Sequence, residues 1–222
     1  MQQLDDSFNT YITLCLDSLL TFQNRTLTTI AYGAFEGCSS LISARIPYGA
    51  TGRGLASFPE GVTKTFFGAG VPDWTVDPSA TDVVVPDGVP MIPAFAFYGC
   101  SLLTSFVASD SVTAIGDFAF SGCSLLTSFV GSDSVTAIGD GAFAGCSSLP
   151  SFVVSDSVKT IGFRAFQDCS SLTSFVVSDS VTAIGDGAFF ECSSLTTASI
   201  PAGATLGDDV FEESPTTVTM RD

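Results

Sequence analysis

Apolar and polar positions along this chain recur with a period of 23 residues. Between Val112 and Gly203 the pattern is written four times: Val112-Thr-Ala-Ile-Gly-Asp-Phe-Ala-Phe-Ser-Gly-Cys123 is followed by Val135-Thr-Ala-Ile-Gly-Asp-Gly-Ala-Phe-Ala-Gly-Cys146, and then by copies starting at Val158 and Val181. A copy this short cannot bury its own apolar face, so the repeat predicts a solenoid in which each coil is stabilised by its neighbours.

Within one copy the periodicity changes from strand-like to turn-like. Leu172-Thr-Ser-Phe-Val-Val-Ser178 has the Leu-x-x-Phe-x-Val spacing of a leucine-rich-repeat strand. Alternation places Phe175 and Val177 inward, and Ser174, Val176 and Ser178 outward, on a parallel sheet with one strand per coil that forms a concave wall. Ser178-Asp-Ser180 turns the chain, and Val181 and Ile184 return to the core. Asp186 is expected to cap a short helix that carries Ala188 and Phe189 on the convex side and ends near Cys192.

The cysteines extend the register. Cys15 and Cys38 are one period apart, as are Cys100, Cys123, Cys146, Cys169 and Cys192. The resulting organisation is a single solenoid over residues 1–222. Its coils fall at about 4–26, 27–49, 66–88, 89–111, 112–134, 135–157, 158–180 and 181–203, with a capping coil at 204–222. Residues 50–65 are extra, and their Gly and Pro content reads as a loop or small hairpin. In the coil that follows, Trp74 takes the Phe position and Val83-Val-Val85 the strand.

These residues resemble the BspA-like leucine-rich-repeat proteins, whose coils carry an Ile-Pro strand end followed by Val-x-x-Ile-Gly-x-x-Ala-Phe-x-x-Cys. Here the pattern stands as Arg45-Ile-Pro-Tyr48, Val84-Val-Pro-Asp87, Ser199-Ile-Pro-Ala202 and the repeated Val-Thr-Ala-Ile-Gly-Asp-Gly-Ala-Phe. Ser109, Ser132, Ser155 and Ser178 replace the strand-end Pro in the central copies. The resemblance implies an α/β repeat solenoid, a right-handed leucine-rich-repeat superhelix with a parallel sheet on the concave face and short helices on the convex face. It also implies adhesion or protein binding at a cell surface.

Composition narrows the function. With 45% hydrophobic and 14% charged residues the chain folds, because this apolar content can offset the entropy of ordering. Its 23 acidic and 7 basic residues give a net charge of −16, which repels nucleic acid and anionic lipid and makes this an acidic protein without a nucleic-acid partner. No apolar run reaches the length of a transmembrane segment. Asp5, Asp6 and Asp17 stand where a signal peptide would have a basic start and an apolar centre. There is no His, so no imidazole base and no Ser-His pair is available, and no catalytic residue, metal site or cofactor is assigned.

Candidate chemistry therefore lies in columns. One Cys per coil matches no zinc spacing and reads as buried free thiol. Asp87, Asp110, Asp133, Asp156 and Asp179 read as turn residues, since each turn offers calcium only one carboxylate. Asn24-Arg25-Thr26 is a glycosylation sequon, which acts only in a secretory route. Two surfaces are candidate docking sites for a protein or glycan partner. One is the outward strip of Ser105, Ser128, Ser151 and Ser174 beside Val107, Val130, Val153 and Val176, with the strand-end serines as a third column. The other is the irregular early region, where Arg45, Arg53 and Lys64 lie near Trp74, the sole tryptophan, and would suit an acidic partner. Three roles remain open: a non-catalytic protein-binding or adhesion scaffold, a structural or linker subunit wedged into a larger assembly, and a flat-faced binder of repetitive matter such as ice or a polymer.

Overall fold

Each coil directs its backbone donors to the coil beside it, and this sets the architecture. A computed structural model describes residues 19–21, 35, 38, 41–47, 58, 62–68 and 71–221. Cys15, the sequon and Arg53 lie outside the described residues.

From Asp82 onward every coil carries a longer strand and then a two-residue strand. The pairs are β5 (Asp82–Val84) and β6 (Met91–Ile92), β7 (Ser105–Val107) and β8 (Ala114–Ile115), and β9 (Ser128–Val130) and β10 (Ala137–Ile138). They continue as β11 (Ser151–Val153) and β12 (Thr160–Ile161), β13 (Ser174–Val176) and β14 (Ala183–Ile184), and β15 (Thr197–Pro201) and β16 (Thr205–Leu206), ahead of the final β17 (Thr217–Arg221). The short strands form one continuous parallel sheet from β6 to β16. The longer strands form the front wall, expected to be the concave one, in two blocks: β5-β7-β9 and β11-β13-β15-β17. Identical residues pair across coils, Phe106 with Phe129 and Phe152 with Phe175. The result is a parallel β-solenoid of about seven turns, leucine-rich-repeat-like.

The expected convex helices are not formed: no helix occurs among the described residues. The stretch from Phe118 to Cys123 is instead a run of turns with two residues at positive φ, Phe118 at 53° and Gly122 at 78°. The pair recurs as Gly141 with Gly145 and as Arg164 with Asp168, and a right-handed helix excludes both positions. Alternate amides leave the coil. Phe118 N–H donates to Asp140 O and Phe120 N–H to Ala142 O, each at 2.7 Å, while Cys123 N–H turns back to Phe120 O at 3.0 Å. Asp186 caps no helix; its Oδ1 accepts the Asp208 N–H of the next coil at 2.9 Å. A helix is about 10 Å across and could not repeat on every coil at the close spacing these bonds impose.

That spacing is visible in the core. Phe97, Phe120, Phe143, Phe166, Phe189 and Phe211 stack with ring centroids 5.0 to 5.4 Å apart and planes within 6°. A second ladder, Phe106, Phe129, Phe152 and Phe175, meets the first edge-on, for example 4.7 Å between Phe106 and Phe120. Each such pair contributes about 0.5–1.5 kcal/mol beyond area burial. Gly139, Gly162 and Gly185 mark the closest approach of the coils; a Cβ on Gly162 would sit 2.6 Å from the Asp140 backbone nitrogen.

The N-terminal part is less regular. β1 (Leu19–Thr21), β2 (Ser43–Pro47) and β3 (Thr63–Gly68) run parallel, and β4 (Val71–Val76) folds back antiparallel on β3. The insert boundary expected at residues 65 and 66 falls inside β3. This hairpin corrects the reading of the basic cluster. Trp74 is 5% exposed, with its ring 5.5 Å from Phe97 at the head of the first ladder. Lys64 is 7% exposed and its Nζ donates to the Phe95 and Ala96 carbonyls at 3.1 and 3.5 Å. Burial pulls its ammonium below the usual range. Neither side chain is at the surface, because strand alternation in β3 and β4 places both on the core face.

Two stability measurements follow. In urea denaturation Gly162→Ala should cost roughly 1–3 kcal/mol, because its methyl is driven into the backbone of the preceding coil. Gly203→Ala, with nothing within 4 Å of its Cβ, should stay within about 0.5 kcal/mol. Lys64→Glu should cost roughly 3–5 kcal/mol, since it buries a carboxylate against two carbonyl oxygens; a change near zero would mean that Lys64 is exposed in solution.

Candidate docking surface

The front wall alternates as strands do, and its outward column is apolar. Val84, Val107, Val130, Val153 and Val176 are all exposed, Val153 the most at 84%. Parallel pairing holds them in line: Val84 beside Val107, Val107 beside Val130, and Val153 beside Val176. The neighbouring column of Ser105, Ser128, Ser151 and Ser174 is half-buried at Ser105 and exposed at the other three. Asp82 heads that column and accepts a hydrogen bond from Ser105 Oγ, which holds its carboxyl below the usual range together with Thr81. The structure therefore brings eight of the expected site residues onto one surface.

The third expected column is not outward. Ser132 is buried, Ser178 is 9% exposed, and Ser109 and Ser155 are half-buried. The chain turns at these residues: Ser109 O accepts Val112 N–H at 3.0 Å and Ser178 O accepts Val181 N–H at 3.1 Å. Each Asp of the acidic column sits at the second position of this β-turn, exposed to water. Ser178 Oγ has no hydrogen-bond partner. Nearby, Arg221 Nη2 donates to Val177 O and pairs with Asp179 Oδ1 at 3.1 Å.

Between β9 and β11 the front wall is interrupted, a feature the sequence reading missed. At other junctions a Thr at the strand entrance donates both its N–H and its hydroxyl to the coil before: Thr127 to Thr104 O at 2.9 and 3.1 Å, and Thr173 to Pro150 O at 3.2 and 3.3 Å. Pro150 stands in that column and has neither donor. At the strand exit, Ala108 N–H donates to Val130 O and Val177 N–H to Ser199 O. Gly131 makes no corresponding bond to Val153; Val154 makes none to Val176 either, but there β11 and β13 stay paired. It also lacks the side chain that Val154 and Val177 bury. Phe129 is left partly exposed, and a cavity of about 230 Å³ opens above it. The signal was in the sequence, as the one Pro in a Thr column and the one Gly in a column of Val85, Ala108, Val154, Val177 and Ile200.

Arg45 pairs with Asp73 at 2.6 Å on the surface. The six described cysteines are buried, and Cys100, Cys123, Cys146, Cys169 and Cys192 are free thiols. Cys123, Cys146, Cys169 and Cys192 donate their Sγ–H to the Phe97, Phe120, Phe143 and Phe166 carbonyls at 3.1 to 3.3 Å. Burial pushes these thiols upward, Cys192 to about 12, so thiolate is scarce at neutral pH. Ser214, which ends the column, makes the same bond to Phe189 O at 2.7 Å. Among the described residues no three His, Cys, Asp or Glu side chains converge as metal ligands, and no helix is long and apolar enough to cross a membrane.

A leucine-rich-repeat protein of T. pallidum is 29% identical, with a TM-score of 0.52 over 59% of this chain and 70% of its own. A leucine-rich cell surface protein of Faecalibacterium prausnitzii is 24% identical, with a TM-score of 0.61 over 82% of this chain and 59% of its own. A leucine-rich-repeat protein of Eubacterium ventriosum is 20% identical, with a TM-score of 0.59 over 93% and 68%. This chain thus spans about three fifths of the F. prausnitzii protein. Comparison with the curated proteins finds no match. Residues 9–64 and 81–218 match the BspA type leucine rich repeat region in six copies, and with that coverage the chain belongs to the BspA-type leucine-rich-repeat family.

Proposed function

We propose that the chain is a non-catalytic scaffold whose front wall docks a protein partner. Repeat families of this type are in general non-enzymatic and typically bind proteins. The observation that carries the reading is the exposed valine column, five coils long, on a wall whose core face is already filled. A soluble protein rarely leaves a contiguous apolar strip uncovered without a use for it. The early basic cluster is the weaker candidate, because Lys64 and Trp74 are core residues and Arg45 is paired with Asp73. Adhesion at a cell surface, which the family resemblance implies, is one use such a wall serves.

Site-specific photo-crosslinking tests this. A photoreactive residue at Val107 or Val153 should yield discrete adducts with proteins of the source organism, and the same residue at Lys159, exposed beside the short-strand wall, should yield few. Equal labelling from both walls, or more from Lys159, would place the docking face elsewhere.

A further inference from the structure

We infer that the break between β9 and β11 is a side-chain socket, and that its occupant is one large apolar residue of an extended, basic polypeptide segment. The inference rests on the front wall being the docking face and names what is read there.

The geometry limits what can enter. The Phe129 and Phe152 rings remain 5.2 Å apart, and behind them β10 still pairs with β12. On the third wall Phe143 N–H still reaches Ala165 O at 2.7 Å. Two walls are closed and one is open, so the break is a crevice with no room for an inserted strand. Its floor is Ile138, Phe152 and Val158, and Val130 and Val153 form its lips. An apolar cavity of about 150 Å³ holds a benzene molecule, so about 230 Å³ accepts a Leu, Met or Phe side chain. Gly131 leaves its mouth clear, where other coils place Ala108 or Val154.

Charge selects the flanks. Along the turn side of the wall stand Asp87, Asp110, Asp133, Asp156 and Asp179, one per coil and all exposed. The cation facing them among the described residues is Arg221, and it pairs with Asp179. Asp133 and Asp156 flank the crevice unneutralised. A segment crossing the strip with Lys or Arg on either side of its apolar anchor meets complementary charge, whereas an acidic one is repelled. The crevice lies where β9 and β11 do not pair and so supplies a landmark on the repeated strip, which fixes the register in which a partner docks.

The test uses the full chain and labelled decapeptides with a central Leu or Ala, flanked by Lys or by Glu, with binding read by fluorescence anisotropy. The Lys-flanked Leu peptide should bind about tenfold or more tighter than its Ala counterpart. It should also weaken with added salt, while the Glu-flanked pair binds less. Gly131→Val and the milder Gly131→Ala, each shown folded by its thermal melt, should erase the Leu preference in that order. If Val107→Lys or Val176→Lys weakens binding but the central residue and the Gly131 variants make no difference, the socket is overturned and the docking face stands. If none of these changes alters binding, or no peptide binds, both are overturned. Equal binding of the Glu-flanked peptides would overturn the assigned partner chemistry.

Discussion

A backbone hydrogen bond from each coil to the coil beside it, repeated on all three walls, holds the coils at about the 5 Å spacing of the stacked rings. The rest of the structure is fitted to that distance. It forbids a helix on every coil, requires Gly at the closest contacts, and lines identical residues up in register. Two phenylalanine ladders then interlock as the core. The thiol column serves the same contact as a second donor, from the next coil, to a carbonyl that already closes its own turn, and Ser214 substitutes for it at the end of the column. Each coil interface is thus a local unit, and stability builds up along the chain.

The same register produces the surface. Because strand partners are identical residues, one exposed valine becomes a column of five, and one turn aspartate becomes a rail of negative charge beside it. Neighbouring carboxylates at this spacing repel by on the order of 0.8 kcal/mol per pair in water, a modest cost that a basic partner would relieve. Uniformity confers area without registry. Where Pro150 removes two donors and Gly131 removes a side chain, the strip gains a distinguished position at an unpaired junction.

Much of this was legible in the chain. The period, the Phe and Cys columns, the inward Phe175 and Val177 and the outward valines all follow from alternation and the repeat, because one coil's burial pattern is copied by its neighbours. The third wall was not legible in the same way. Ala188, Phe189 and the capping Asp186 fit a short helix, and what excludes it is the left-handed backbone at two positions per coil. Gly141 and Gly145 advertise those positions, but Phe118, Arg164 and Asp168 occupy them elsewhere and hide the pattern. Strand-end serines looked outward by alternation because a turn, with its own geometry, begins where the strand was taken to continue. Lys64 looked like a surface cation because charge is ordinarily at the surface. Its placement depends on β4 folding back over β3, a tertiary event no local pattern announces. The break at Pro150 and Gly131 was present as two odd letters, and their meaning appears only across coils.

Amide hydrogen exchange resolved by residue tests the central claim, that lateral bonding sets the fold and fails on the front wall at one junction. The Gly131 and Ser151 amides should exchange at least about a hundredfold faster than Ala108 and Val177 at intact junctions. They should also outpace Gly162, which bonds to Ile138 O at 2.9 Å across the same two coils on the short-strand wall. Equal protection at all five amides would mean that the front wall is continuous and that its valine column has no break.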